Sequence, residues 1–307
     1  MKIHLITNCT SNKSSKLNHD VKIKNICDIS SATKNWLNKI HKQNNLVPAK
    51  DVYVGDHWSK VIEIYNLEFP VWVVSAGYGF ISIEKEISSY DATFNSNNEN
   101  SVSRFFSEGN LVDKNVNWWN RINKNILKGN PVGPLEYLYK NNLDDIFFFV
   151  VPPNYLKVLE PELDKLVTTG IINKKNTFIF SSKQNLEESL TSLFFAAKDD
   201  FCKYLGGSRI SLNIRLASHI LKALDLERAV APQVEKLYNE ILINSSPAKK
   251  YNRKKLSDKE VNDFIKSELK LLNIKNASAS KLLRILRDKG MACEQKRFSK
   301  LYNNLSK

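Results

Sequence analysis

Short apolar runs that end abruptly in polar residues restrict the fold of this chain more than any other feature. These runs occupy residues 2–6, 70–75, 146–151 and 177–180, and the run at residues 70–75 lacks alternation, as expected for a strand covered on both faces. Segments with helical spacing separate them, at residues 32–42, 49–64, 135–141, 154–168, 186–203 and 211–224. We therefore predict an α/β fold with a mainly parallel sheet flanked by helices.

The polar ends of these runs predict where a ligand binds. In open parallel sheets, ligands bind beyond the carboxyl ends of the strands. We expect three loops to converge there, at residues 9–13, 75–93 and 181–183. The sequence has no GxGxxG and no GxxxxGK[ST] motif, which argues against a dinucleotide or P-loop site.

The charge of the chain is concentrated at its end. The 307 residues carry a net charge of +14, and residues 246–307 hold 17 Lys or Arg against 6 Asp or Glu, an excess of 11. A Ser-Ser-Pro stretch at residues 245–247 is typical of a linker. We predict an α/β domain at residues 1–245 and a basic helical domain at residues 246–307, with double-stranded DNA as the partner. The alternative is a basic proteome, because Lys and Asn are abundant throughout.

The basic domain has the pattern of three short helices. Ser257 and Glu260 form a capping-box pattern, and Ser278 precedes a basic helix. This pattern favours a helix-turn-helix-like DNA-binding domain. The residues predicted to contact phosphates or bases are Lys281, Arg284, Arg287, Lys296 and Arg297. The alternative is a solvated basic tail.

Cysteine spacing and hydropathy exclude other classes. No CxxC pair occurs among Cys9, Cys27, Cys202 and Cys293, so no zinc site is expected. No apolar run reaches the 18 residues typical of a membrane helix. We expect a cytoplasmic protein without membrane attachment.

A set of small motifs resembles a known superfamily. The set includes Ser75-Ala76-x-Tyr78-Gly79, followed by Tyr90-Asp91-x-Thr93, and adds Cys9, Thr10 and Lys13 after the first strand and Tyr53 with Gly55. It is similar to the superfamily that includes the bacterial peroxide-stress-resistance proteins. The resemblance covers residues 1–95 well, residues 146–225 loosely and the basic tail not at all. Gly77 and Ser89 depart from it, since relatives often have a bulkier or basic residue and a proline there.

The resemblance implies a function as well as a fold. It implies a nucleobase-handling α/β domain related at a distance to uracil-DNA-glycosylase-like domains. Relatives are associated with DNA damage, DNA base hypermodification and defence against phages. One group of defence enzymes with a similar plan removes glucosylated hydroxymethylcytosine from phage DNA.

Two carboxylates are candidates for the chemistry of such an enzyme. Hydrolysis of an N-glycosidic bond requires a flipped base and a group that stabilises positive charge on the sugar. A carboxylate can do this and can also orient a water. Asp91 is the first candidate and Asp56 the second. For both, the alternative is a cap of a helix or turn.

The predicted substrate contacts combine stacking, phosphate and base-edge groups. Tyr78 and Tyr90 are predicted to sandwich a flipped base, with core packing as the alternative. Lys13 and Lys183 are predicted phosphate contacts, with plain surface lysines as the alternative. Arg209 is predicted to bind a phosphate or a sugar-bearing base. The remaining predicted substrate-binding residues are Cys9, Thr10, Tyr53, Gly55, Ser75, Gly79, Thr93 and Asn213.

Together these features predict a monofunctional DNA glycosylase. It would flip and hydrolytically excise a modified base, a modified cytosine of phage DNA, and leave abasic sites in antiviral defence. We expect no cofactor, no metal and no obligate protein partner. The alternatives are a non-catalytic DNA-binding module in damage response or regulation, and an enzyme that exchanges a DNA base.

Overall fold

The chain folds into two compact units, residues 1–248 and residues 249–307. The computed structural model describes residues 1–14, 28–106, 109–126, 132–183, 185–247, 253–271 and 278–305. The sequence had placed the boundary between residues 245 and 246. In the described residues, no helix combines the length and apolarity needed to cross a membrane.

A mostly parallel sheet forms the centre of the first unit. The strands of this unit are β1 (Ile3–Asn8), β2 (Val47–Pro48), β3 (Val71–Ser75), β4 (Gly79–Ser82), β5 (Glu86–Ile87), β6 (Ile146–Val150), β7 (Thr177–Ser181) and β8 (Phe194–Ala196). The sheet has the order β4-β3-β1-β6-β7-β8, in which only the β3–β4 pair is antiparallel. β2 and β5 form a separate two-stranded ribbon. The predicted α/β class with a mainly parallel sheet is confirmed.

Helices flank this sheet. They are α1 (Ile29–His41), α2 (Ala49–Val52), α3 (Asp56–Tyr65), α4 (Leu111–Ile126), α5 (Pro134–Lys140), α6 (Pro153–Thr168), α7 (Cys202–Leu205), α8 (Leu212–Ala223) and α9 (Val230–Asn244). α4 packs against α1 and α6, whereas α8 packs against α3, α9 and the strands β6 and β7. β6 and β7 are buried along their whole length, which explains why their sequences show no alternation.

Two sequence-based helix predictions were wrong. The segment at residues 186–203 contains 3-10 turns and the strand β8, because Phe195 stacks on Phe180 with ring centroids 5.4 Å apart and so joins the sheet. The helix predicted at residues 49–64 is divided into α2 and α3. The break falls at Gly55, whose φ of 107° is a conformation that suits glycine.

The second unit consists of three helices around a small core. It contains β9 (Lys254–Lys255), α10 (Asp258–Leu271), α11 (Ala279–Asp288), β10 (Met291–Ala292) and α12 (Gln295–Leu305), with β9 and β10 parallel. The capping box is confirmed, because Glu260 accepts a hydrogen bond from the Ser257 amide at 2.7 Å. Ser278 caps α11 by accepting from the Lys281 amide. The three predicted helices are therefore present.

Candidate functional site

The order of the strands creates a crevice at the carboxyl edge of the sheet. The chain runs from β1 to β3 on one side and later returns to β6 on the other side of β1. The loops that follow β1 and β6 therefore separate from each other, and such a switch point is where open α/β sheets bind ligands. A cavity of about 410 Å³ lies at this place.

Three further parts of the first unit complete the cavity. Its walls come from the ends of β1 and β6, the start of α3, the segment after Thr93 and the start of α8. The lining residues are Asn8, Cys9, Thr10, Ser11, Asn12, Val54, Gly55, Asp56, His57, Thr93, Asn95, Asn98, Pro152, Asn154, Tyr155, Ser208, Ile210, Ser211 and Asn213. The lining is rich in amide and hydroxyl groups, and Asp56 supplies its carboxylate.

Asp56 is held in place by two partners from the start of α8. The Ser211 hydroxyl donates to one carboxylate oxygen and the Arg215 guanidinium donates to the other. The hydrogen bond from Ser211 and the charge of Arg215 lower the pKa of Asp56 below its usual range. Asp56 is therefore ionised at neutral pH.

The Arg215 guanidinium that binds Asp56 occupies the space where a side chain at position 207 would lie. The φ of Gly207 is 75°, and a Cβ atom at this position would collide with the Arg215 guanidinium. The absence of a side chain at Gly207 thus admits an arginine of the same chain.

His57 lies beside Asp56 and is uncharged at neutral pH. Burial lowers the pKa of His57 to about 4. The Thr7 hydroxyl donates to the Val150 carbonyl at 3.2 Å, so its oxygen accepts the 2.9 Å hydrogen bond from Nε2 of His57. Nε2 therefore carries the proton, and the imidazole is unsuited to act as a general acid.

Asn8 lines the cavity and carries a buried acceptor without a partner. Its Nδ2 donates to the Cys9 carbonyl at 2.8 Å, which fixes the orientation of the amide. Its Oδ1 is closed off from solvent and has no hydrogen-bond partner in the structure, which is costly to the fold.

Six of the predicted site residues line the cavity: Cys9, Thr10, Gly55, Asp56, Thr93 and Asn213. Cys9 lies 3.2 Å from the Tyr155 hydroxyl, and Asn213 donates to the Val151 carbonyl at 3.1 Å. These contacts join the loop after β1 to the start of α6, and α8 to the residue that follows β6. The cavity residues Asn8, Asn154, Tyr155, Ser208 and Ser211 were not singled out from the sequence.

A second group of predicted residues forms a buried network behind the cavity. The Tyr90 hydroxyl bonds to Ser75 at 2.6 Å and to Tyr53 at 2.8 Å, and Gly79 begins the neighbouring strand β4. Tyr78 and Tyr90 meet edge to face at 66° with centroids 5.2 Å apart, and Tyr90 is fully buried. The predicted base sandwich is therefore replaced by core packing.

Asp91 and Lys13 belong to the margin of this network. The Lys13 ammonium lies 4.6 Å from the centre of the Tyr90 ring and donates to the Thr10 carbonyl. Burial lowers the pKa of Lys13, while Cys9 and Asp91 act in the opposite direction. Neither Lys13 nor Asp91 lines the cavity.

Two basic residues that were predicted to contact the substrate form ion pairs within the chain instead. Lys183 is buried in an ion pair with Glu160, so the predicted phosphate contact is not available in this structure. Arg209 pairs with Asp199 on the exposed surface beside the cavity. Both residues follow strand or helix ends, but their charges are satisfied within the chain.

The second unit presents a basic groove of its own. A cavity of about 360 Å³ is lined by three arginines and one carboxylate, together with Leu283 and two polar residues at the starts of α11 and α12: Arg253, Arg284, Arg287, Asp288, Ser280 and Gln295. The predicted contacts Lys281 and Lys296 are exposed. Arg297 is bound to Asp258, with Nε 2.6 Å from the carboxylate oxygen.

The described residues contain no group of three or more His, Cys, Asp or Glu side chains placed to hold a metal ion. Models of protein families, curated proteins and solved structures were compared with this chain, and none of them matches it. Its function has to be inferred from the chemistry of the cavity.

Proposed function

We propose that this chain is a monofunctional DNA glycosylase that flips and hydrolytically excises a modified base. The observation that carries the proposal is the cavity at the switch point, which combines neutral hydrogen-bonding groups with the carboxylate of Asp56. A flipped base is recognised by hydrogen bonds to its edge in a pocket of this kind. The amides of Asn8, Asn154 and Asn213 suit an uncharged heterocycle better than a phosphate.

The proposed base is a modified cytosine of phage DNA. The cavity offers amide and hydroxyl groups that can form hydrogen bonds with the edge of such a base.

Asp56 is the carboxylate that we assign to the reaction. Its low pKa makes it a weak proton acceptor but keeps it charged, as is needed to stabilise positive charge on the sugar. As the C1′–N bond breaks, the electron pair leaves with the base. A water oriented by Asp56 then bonds to C1′ and loses a proton, and the departing base is protonated. The product is an abasic site in an intact strand.

The charge distribution supports DNA as the polymer that carries the base. Residues 246–307 supply 11 of the net +14 charges, and a groove with three arginines lies among the helices of the second unit. We propose that this unit is a helix-turn-helix-like DNA-binding domain and that the first unit is uracil-DNA-glycosylase-like. Excision of modified bases would serve antiviral defence.

The test uses the purified full-length protein and three DNAs: unmodified, hydroxymethylcytosine-containing and glucosylated phage DNA. Released bases are identified by mass spectrometry, and abasic sites by strand breakage in alkali. Release from modified DNA alone would establish the activity. Tight binding without release from all three DNAs would instead favour a recognition module.

Matched variants test the assignment of the carboxylate. We expect Asp56→Asn to lower base release by about 10²–10⁴-fold with DNA binding retained. Asp199→Asn is the control, because Asp199 also pairs with an arginine but lies outside the cavity. Asp91→Asn should retain most activity. Loss of release in Asp91→Asn together with full activity in Asp56→Asn would reverse our assignment.

A further inference from the structure

A second cavity, which we call the side cavity, adjoins the cavity at the switch point. It has a volume of about 330 Å³ and lies between the segment after Thr93 and the first turns of α4 and α6. Two residues, Asn95 and Asn154, line both cavities, so the two cavities share a wall. The other residues that line the side cavity are Phe94, Ser96, Leu111, Val112, Asn115, Pro153, Lys157 and Val158.

The side cavity differs from the switch-point cavity in its chemistry. Leu111 and Val112 are 45% and 40% exposed, and three further apolar side chains line the same cavity. The exposed Lys157 contributes a positive charge, and the residues that line the side cavity include no carboxylate. A concave apolar surface with a few polar groups is typical of a ligand site.

The start of α4 holds the two exposed apolar residues in place before a ligand binds. Oδ1 of Asn110 accepts from the amide of Val112 at 2.9 Å and from that of Asp113 at 3.0 Å. Nδ2 of Asn110 donates to the Asp113 carboxylate at 2.7 Å. This cap fixes the backbone of Leu111 and Val112, so little freedom is lost there when a ligand binds.

The shared wall contains an amide whose orientation is fixed. Oδ1 of Asn95 accepts from the Asn97 amide at 3.1 Å, so Nδ2 is the group that Asn95 can offer to a ligand. The backbone amide of Asn95 donates to the Thr93 hydroxyl at 3.1 Å, and its carbonyl accepts from the Asn98 amide at 3.0 Å. Asn95 therefore presents an N–H donor from a turn that is already hydrogen-bonded.

We propose that the side cavity binds the nucleotide next to the one whose base occupies the switch-point cavity. A nucleotide has an apolar base face, a hydrogen-bonding base edge and an anionic phosphate. The side cavity offers apolar side chains, amides and Lys157 for these three parts. Because consecutive nucleotides are covalently joined, a strand whose base enters the switch-point cavity brings one of its two neighbours to the shared wall.

This inference rests on the proposed excision of a base from DNA. It adds a second subsite and assigns it to Leu111, Val112 and Lys157. Contacts to a flanking nucleotide make the action of an enzyme on a base depend on the sequence around that base. Excision by this protein should therefore depend on the neighbouring base on one side of the target.

The experiment measures how the neighbouring base contributes to binding by the full-length protein. Single-stranded oligonucleotides carry one hydroxymethylcytosine, and its 5′ or 3′ neighbour is either thymidine or a tetrahydrofuran residue that lacks a base. Affinities are measured by fluorescence anisotropy. We expect loss of the neighbouring base on one side to weaken binding by about 5- to 30-fold, and loss on the other side to change it by less than about twofold.

Leu111→Ser links this effect to the side cavity. The variant should bind the intact oligonucleotide about 5- to 30-fold more weakly than wild type but should match wild type on the oligonucleotide that lacks the neighbouring base. Lys157→Gln should weaken both equally, because the tetrahydrofuran residue keeps its phosphates. Leu226→Ser is the control, since Leu226 is 43% exposed and lines none of the cavities described here.

Three results would overturn the side cavity as a nucleotide site. The first is a wild-type affinity that does not change when either neighbouring base is removed. The second is wild-type binding by Leu111→Ser, and the third is equal weakening of both oligonucleotides by this variant. Melting followed by tryptophan fluorescence shows whether each variant is folded.

Binding requires no bond cleavage, so the outcome is separable from that of the proposed chemistry. If the wild type releases no base but responds to the neighbouring base, and Leu111→Ser does not respond, the glycosylase proposal fails while the side cavity stands. If base is released and neither the affinity nor the rate of release depends on the neighbour, the side-cavity proposal is wrong and the glycosylase proposal stands.

Discussion

Lys183→Met tests whether Lys183 and Glu160 form a buried ion pair in the first unit. The side chains of Lys183 and Glu160 are only 6% and 10% exposed and are bound to each other. Methionine approximates the length of lysine but leaves the Glu160 carboxylate buried without its partner. Breaking a buried pair in this way costs about 3–5 kcal/mol. For a unit of this size, the melting temperature should fall by roughly 6–20 °C.

The position of the tryptophans allows unfolding of the first unit to be measured separately by fluorescence. All five of them, Trp36, Trp58, Trp72, Trp118 and Trp119, lie in the first unit, so their fluorescence during urea unfolding reports on that unit. Lys222→Met is the matched control. Lys222 pairs with Glu63, but the two side chains are 49% and 39% exposed, and the expected loss is below about 1 kcal/mol.

A double variant completes the test. Replacing both Lys183 and Glu160 by apolar residues removes the unpaired charge, so we expect most of the lost stability to return. DNA affinity should be the same in all three proteins. A stability loss below about 1 kcal/mol in Lys183→Met, accompanied by weaker DNA binding, would refute the buried pair and restore the phosphate contact.

Three further predictions concern pH and salt. Burial lowers the pKa of His57 to about 4, so below pH 6.5 a proton binds the unfolded chain more readily than the folded one. The difference in free energy of unfolding between wild type and His57→Gln should therefore be constant above pH 6.5. It should change in favour of the variant by up to about 3 kcal/mol as the pH falls toward 4. The pKa of Glu162 is raised to about 7 by burial, and its Oε1 accepts from the Leu135 and Glu136 amides. The free energy of unfolding of the wild type therefore falls as the pH rises from 4.5 to 7. In urea titrations at pH 8, Glu162→Gln should be more stable than wild type by up to about 3 kcal/mol, and near pH 4 this difference should be absent. Arg284→Gln and Arg287→Gln should each reduce the slope of log affinity for DNA against log salt concentration by about 0.9, whereas Arg297→Gln, which loses a residue paired with Asp258, should change it less.

The sheet was predictable because its strands are covered on both faces. Residues 146–150 and 178–180 are uniformly apolar, and this pattern needs no knowledge of distant contacts. β8 was not predictable in the same way. It is an edge strand of three residues, and its phenylalanines favour a strand only because β7 lies beside them.

The site was predictable in place but not in detail. Cys9, Thr10 and Thr93 were expected in loops that converge, and they line the same cavity because topology alone brings such loops together. Asn8 and Asn154 escaped notice because asparagine is abundant throughout the chain. The start of α8 joins the cavity through the contacts of Ser211 and Arg215 with Asp56, more than 150 positions earlier, and no local pattern reports such a distance.

Burial decided which aromatic and charged residues were misassigned. Tyr90 and Lys183 both follow or face strand ends, where a binding role is plausible from sequence. Their side chains instead point inward, and the partners Ser75 and Glu160 satisfy them there. A sequence pattern shows that a polar atom needs a partner but not whether that partner is a ligand or the protein itself.

The turn at Gly77 couples substitutions at this position to substitutions at Tyr90. A Cβ atom at this position would lie 2.5 Å from the Tyr90 ring and 3.1 Å from Trp36. In this chain a larger residue therefore collides with the Tyr90 ring, and replacing that ring by something smaller breaks the hydrogen bonds to Ser75 and Tyr53. The stability losses caused by substitutions at Gly77 and Tyr90 should therefore not add, because the second change relieves the collision that the first creates.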